Sequence, residues 1–261
     1  TNFNVNIYYN PNLTVHGIGS SALWCPSDGS ISEVQSLASD SFFETVPANM
    51  SARMAYSSYA GMVGPWYVNT WSIPGVGSGA RASHSQIKSN QRGMFNVCSN
   101  TRIASVTDGT SNTMIFGEHG HGLIAPDQQS SWQWWDSGNL GDTLITSMFP
   151  LNPQRTVQNG DSGTGGSIFV ASASSMHPGG ANFAFVDGSV RFIKDTVQSY
   201  QIQPIGTDLN GAPMPASLIA TNVGSDPYWD QIYALKPGVQ FGVYQALSTR
   251  NGGEVISADA Y

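Results

Sequence analysis

The stretch from Ser175 to Lys194 constrains the fold more than any other. Phe183 and Phe185 alternate with Ala184 and Val186, then come Asp187-Gly188, then Val190, Phe192 and Ile193. An Asp-Gly pair between two aromatic and β-branched runs is a strong short-range hairpin signal, because a type I′ turn needs φ > 0 at both central residues. The spacing predicts two antiparallel strands joined by that turn. His177-Pro178-Gly179-Gly180 leads into it as a tight entry loop.

The rest of the chain reads as short strands separated by Gly, Pro, Ser and Asn. Met54–Val63, Gly93–Val97 and Asn112–Gly117 have strand character. Ser30–Phe43 places Ile31, Val34, Leu37 and Ala38 at helical spacing, with Ser27, Asp28 or Ser30 as cap. Thr107–Ser111 is a polar turn able to cap a short helical turn. Pro65–Ser89 and Asn139–Gly166 read as long loops, and Gln201–Pro237 as an insertion carrying five prolines. Many short strands on polar loops predict an α+β, β-rich fold with an antiparallel sheet and minor helix. One domain over 1–261 is expected, elaborated at about 201–237, since no composition break argues for two.

Several segments together resemble a known family. His177 precedes Asp187-Gly188 by nine intervening residues. Trp24-Cys25-Pro26-Ser27-Asp28, Tyr59-Ala60-Gly61, the block from Arg102 to Thr113 that contains Asp108, Gly109, Ser111 and Asn112, Gly117-Glu118, and Tyr244–Ile256 with Gly252-Gly253 follow one another in order. This pattern is similar to the prepilin-like H-X9-DG proteins (DUF1559), a secreted family abundant in planctomycetes and without an assigned biochemical function. The resemblance implies a β-rich, pilin-like head in which these residues, Gly180 included, are structural. Members usually begin with a basic leader, a prepilin peptidase site and a hydrophobic helix. Thr1–Asn10 is instead polar, with Val5, Ile7 and Tyr9 alternating like a strand. The expectation is a head domain without that helix.

Charge narrows the partners. Only 10% of residues are charged and the net charge is −7, against roughly 25% charged in ordinary soluble domains. Nucleic acid and anionic lipid both need a clustered basic footprint, which ten Lys and Arg do not supply. No apolar run reaches the roughly 18 residues of a membrane span, so this segment is expected to make no membrane contact. A weakly charged, hydrogen-bond-rich surface lacks long-range repulsion and associates readily. That suits an extracellular lattice or fibre, and equally a carbohydrate-facing protein.

Candidate sites each have a bland rival. Cys25 and Cys98 could pair in an oxidising compartment, with a chain-entropy gain of roughly 4 kcal/mol, or remain two buried thiols. His177 and Asp187 could form a dyad or bind a metal. A hairpin Asp facing solvent with His177 anchoring its loop is the expected arrangement. Glu118-His119-Gly120-His121 offers three candidate ligands in four residues, without helical metal-site spacing. Asp28, Asp108, Asp127, Asp136, Asp142 and Asp161 lie in loops of the kind that hold calcium, yet form no EF-hand series. Trp66, Trp71, Trp132, Trp134 and Trp135 could pack the core, anchor a subunit interface or stack on sugar. No G-x-S-x-G elbow or phosphate loop is present.

The reading is therefore a non-catalytic structural subunit. It would be the head of a pilin-like filament or cell-surface assembly, outside the cell, with copies of itself as partners and no required cofactor, calcium being an optional ion. The alternative is a secreted or surface module that binds a glycan or small solute.

Overall fold

In the computed structural model the alternating run becomes β6 (Gly180–Phe185) and β7 (Val190–Lys194), paired in register from Gly180 with Lys194 to Ala184 with Val190. The structure describes residues 13–37, 52–67, 86, 89–96, 100–126, 128–156, 169–200, 202–207, 213–223, 231–254 and 256. Thr1–Asn10, Trp71, Cys98, Asp127 and Asp161 lie outside them.

The hairpin forms one side of a five-stranded sheet in the order β5-β3-β4-β6-β7. Here β3 is Tyr59–Met62, β4 is Met114–Glu118 and β5 is Leu144–Ile145. β5 runs parallel to β3, and the other neighbours are antiparallel. β1 (Gln35–Leu37) and β2 (Ala52–Met54) pair separately. So do β8 (Ile202–Thr207) with β9 (Pro213–Pro215), and β10 (Leu218–Asn222) with β11 (Gln231–Leu235). Among the described residues the named α-helices are single turns: α1 (Leu13–His16), α2 (Pro153–Thr156) and α3 (Val243–Leu247). None among the described residues is long and apolar enough to cross a membrane. The fold is α+β and β-rich, consistent with a pilin-like head.

Strand alternation separates the faces of the main sheet. The inner face carries Ala60, Met62, Met114, Ala181, Phe183, Phe185 and Ile193, packed under Tyr244 and Leu247 of α3. Phe183 and Tyr244 meet edge-on with centroids 5.9 Å apart. The outer face carries two cross-strand rows. Gly61, Phe116, Ala184 and Val190 make one. Tyr59, Glu118, Asn182 and Phe192 make the other, because Tyr59 pairs with Glu118, Asn182 pairs with Phe192, and Glu118 and Asn182 sit one step beyond the paired Gly117 and Phe183. A second core cluster joins Trp66, Met148, Phe149 and Phe169 to Leu218 and Tyr233 of the β10–β11 hairpin.

Three expectations change. The β6–β7 loop is not a type I′ turn. Gly188 has φ +86° but Asp187 is not in the left-handed region. Gly188 N–H donates to Phe185 carbonyl at 2.9 Å, and Phe185 N–H donates to Ser189 carbonyl at 2.9 Å. That is a turn closed by a glycine bulge, one residue longer than the two-residue loop. The helix expected over Ser30–Phe43 is replaced, where described, by a 3₁₀ turn at Gly29–Ile31 followed by β1. Asp28 caps the turn, and pairing with β2 overrides the helical spacing. Gly93–Val97 forms no regular strand over its described residues, although Gly93 and Phe95 donate to Val63 and Met62 at the end of β3.

Candidate metal centre

Three loops and strand ends that are remote in sequence meet at the Tyr59–Glu118–Asn182 row. Glu118 ends β4, pointing outward, and is buried. Asn182 fixes its carboxylate twice: the backbone N–H reaches Oε2 at 2.7 Å and the side-chain amide reaches Oε1 at 3.0 Å. Cys25 enters from the Cys25-Pro26 bend, with its N–H held by Ser58 Oγ at 2.9 Å. His177 enters from the loop before β6. Its N–H is held by Ser175 Oγ at 3.1 Å and its carbonyl by Arg155 at 2.9 Å.

The reactive atoms converge. His177 Nε2 lies 3.2 Å from Glu118 Oε1 and 3.7 Å from Cys25 Sγ, and Cys25 Sγ lies 4.0 Å from Glu118 Oε1. His177 Nδ1 faces Ser27 Oγ at 3.4 Å. Cys25 and Glu118 are buried, whereas the His177 side chain is 30% exposed, so the cluster opens to solvent on one side. Tyr59 adjoins it. Burial, followed by the electrostatic influence of the neighbouring Cys25 and Glu118, raises its hydroxyl pKa above the ordinary value. Among the described residues this is the one group of three His, Cys, Asp or Glu side chains close enough to share an ion.

The geometry does not suit a nucleophilic triad. In such a triad the imidazole places one nitrogen on the nucleophile and the other on the carboxylate. Here the same nitrogen faces both.

A family model described as "Protein of unknown function (DUF1559)" matches residues 8–199. The chain belongs to the DUF1559 family. Neither curated proteins nor solved structures gave a significant match. The β8–β11 segment lies beyond the span that the DUF1559 model matches.

The other motif residues have structural partners. Asp187 is exposed and accepts from Ser189 N–H at 2.9 Å and Ser189 Oγ at 2.7 Å, which depresses its pKa, and His177 points elsewhere. Asp28 accepts from Ser30 and from Gly122 N–H. Asp108 accepts from Thr249, Gly252 and Gly253, joining the central block to the C-terminal segment. Gly109 (φ +96°) opens the 3₁₀ turn Thr110–Asn112, which contains Ser111.

The structure places the remaining candidates. Cys25 is a free buried thiol with its sulfur turned to Glu118 and His177, and Cys98 lies outside the described residues. Glu118, His119 and His121 do not form one ligand set. Strand alternation sends His119 to the opposite side, where it bonds the Val170 carbonyl. His121 stacks on Tyr56 with centroids 4.5 Å apart. Burial pushes the pKa of both imidazoles down to about 4. Trp66 and Trp134 are core residues, 3% and 2% exposed, and cannot stack on sugar or a partner. Trp132 and Trp135 are half-buried, and Trp135 donates to the His16 carbonyl.

Cys25, Glu118 and His177 were each visible in a sequence motif, but not as one site. They are 93 and 152 positions apart counted from Cys25, so no local period links them. Only the placement of two loops on the end of β4 brings them together.

Proposed function

We propose that this chain is a non-catalytic structural subunit, the head of a pilin-like assembly outside the cell whose partners are copies of itself. The observation that supports the reading is the apolar patch on the outer sheet face. Phe116, Val190 and Phe192 are 43%, 67% and 44% exposed, and Phe95 packs on Phe116 with centroids 5.2 Å apart. Val190 and Phe192 lie on β7, which among the described residues has no strand on its outer side. Clustered exposed aromatics on a sheet face mark interaction surfaces. Lys194 and Arg191 on the same strand discourage edge-to-edge pairing, so the face is the contact. Sedimentation over a range of concentrations, with microscopy of assembled material, tests the proposal. Concentration-dependent association that Phe192→Ser weakens without lowering Tm supports it. A chain that stays monomeric at every concentration overturns it.

A second reading, capture of a small solute, is favoured by one feature. A cleft of about 700 Å³ is lined, among the described residues, by Asn96, Asn100, Thr101, Arg102, Ser105 and Arg250. Two guanidinium groups with amides and hydroxyls suit an anionic solute. Binding abolished by Arg102→Ala in a solute screen would favour this reading over assembly.

A further inference from the structure

We propose that Cys25, Glu118 and His177 form a zinc site with three protein ligands and one position open to solvent. Nothing in the filament reading requires it, and it stands or falls separately.

The distances carry the argument. Tetrahedral zinc takes Zn–S of about 2.3 Å, Zn–N of about 2.0–2.1 Å and Zn–O of about 2.0–2.2 Å. A tetrahedron with those arms has S···N and S···O edges of about 3.6 Å and an N···O edge of about 3.4 Å. The corresponding edges here are 3.7, 4.0 and 3.2 Å. A shared central ion therefore needs shifts of only a few tenths of an ångström. The donor set also selects the ion. A thiolate with an imidazole disfavours magnesium and calcium, which take oxygen ligands, whereas zinc accepts sulfur, nitrogen and oxygen together.

The surrounding groups hold the ligands as outer-shell partners of metal sites do. Asn182 fixes both carboxylate oxygens and Ser27 faces the second imidazole nitrogen. Ser58, Ser175 and Arg155 hold the backbones of Cys25 and His177. Three ligands with a solvent-facing side leave a fourth position for water, the pattern of zinc sites that accept a further ligand. The ion would clamp the Cys25-Pro26 bend and the His177 loop onto the end of β4.

The test uses the full 261-residue chain, purified under reducing conditions, stripped with a chelator and titrated with Co²⁺ and then Zn²⁺. One Co²⁺ per chain is expected, with a thiolate-to-metal charge-transfer band, strong tetrahedral visible absorption and displacement by Zn²⁺. Cys25→Ser should abolish the charge-transfer band. His177→Gln, at a half-exposed position where folding is less at risk, should weaken Zn²⁺ binding by more than the roughly 10–100-fold expected of the outer-shell change Asn182→Ala. Absence of the band in the unaltered chain, or an unchanged Co²⁺ spectrum in Cys25→Ser, overturns the site and leaves a hydrogen-bonded thiol, imidazole and carboxylate. If Cys25→Ser does not fold, unchanged Zn²⁺ affinity in His177→Gln is equally decisive against it.

Discussion

Asp108 Oδ2 receives the backbone N–H of Gly252 at 2.6 Å, although the two residues are 144 positions apart. Its other oxygen receives Gly253 N–H at 2.9 Å, and Thr249 Oγ1 adds a third bond at 3.0 Å. The return contact runs from Thr107 N–H to the Arg250 carbonyl at 2.7 Å. One carboxylate therefore closes the C-terminal segment onto the block before β4. Bonds to a charged acceptor contribute about 1.5–3 kcal/mol each, less where water competes. Asp108→Ala should cost about 3 kcal/mol in urea unfolding, with Asp108→Asn between it and the parent. A loss under about 0.5 kcal/mol, ordinary for a surface change, would show that the segment does not depend on this carboxylate.

Gly188 isolates a backbone effect. Its φ is +86°, and an added Cβ would meet nothing within 4 Å. The cost of Gly188→Val is then conformational alone. A β-branched residue in the left-handed region costs roughly 1–2 kcal/mol, and Asn less. Chemical denaturation of both variants checks this. Equal midpoints for Val and parent would remove the requirement for a positive φ in the β6–β7 loop.

How much of this was legible in the sequence depends on the range of the forces involved. The β6–β7 pairing was legible because alternation and an Asp-Gly turn are local. The turn type was not, because Val186 and Asp187 donate to Thr113 and Thr110 and the loop docks on the 3₁₀ turn there. The helical spacing after Ser30 gave way to β1, because β2 supplies a partner that spacing cannot reveal. The Cys25–Glu118–His177 cluster needed the placement of two loops on the end of β4 before its side chains could be seen as neighbours. Sequence left the tryptophans open between core, interface and sugar stacking, and only the fold puts Trp66 in the core, against Phe241 and donating to the Asn90 carbonyl at 2.7 Å.

The burial of Trp66 sets the consequence of altering it. The ring is 3% exposed, its centroid is 5.6 Å from that of Phe241, and the Arg92 guanidinium sits over it at 5.7 Å. Trp66→Ala should destabilise folding by about 3–5 kcal/mol, the range for emptying a large aromatic site. Phe192→Ser, at a 44% exposed position, should stay within about 0.5 kcal/mol of the parent. Thermal unfolding of the two side by side checks the assignment. A small loss for Trp66→Ala would return it to the surface.

Buried titratable groups set the pH profile. Burial raises Asp142 to about 7, although its carboxylate accepts Trp134 N–H at 3.3 Å. Its unfolded value is 3.8, so between about pH 4 and 7 the folded chain holds a proton that the unfolded chain has lost. Stability from this group falls as pH rises through that window. His119 and His121 act in the opposite sense. Their folded values near 4 lie below the unfolded 6.5, so the unfolded chain binds more protons between these limits. Their contribution rises with pH over that range and is fully present above it. Two histidines outweigh one aspartate below about pH 6.5, and only Asp142 acts from there to about 7. Considering these groups, stability should peak near pH 6.5. Asp142→Asn removes the falling component, so its stability relative to the parent should be about 3 kcal/mol more favourable at pH 8 than at pH 5. Urea unfolding of both proteins at the two pH values measures the difference. The same offset at pH 5 and pH 8 would mean that Asp142 ionises in the folded chain as it does in the unfolded one.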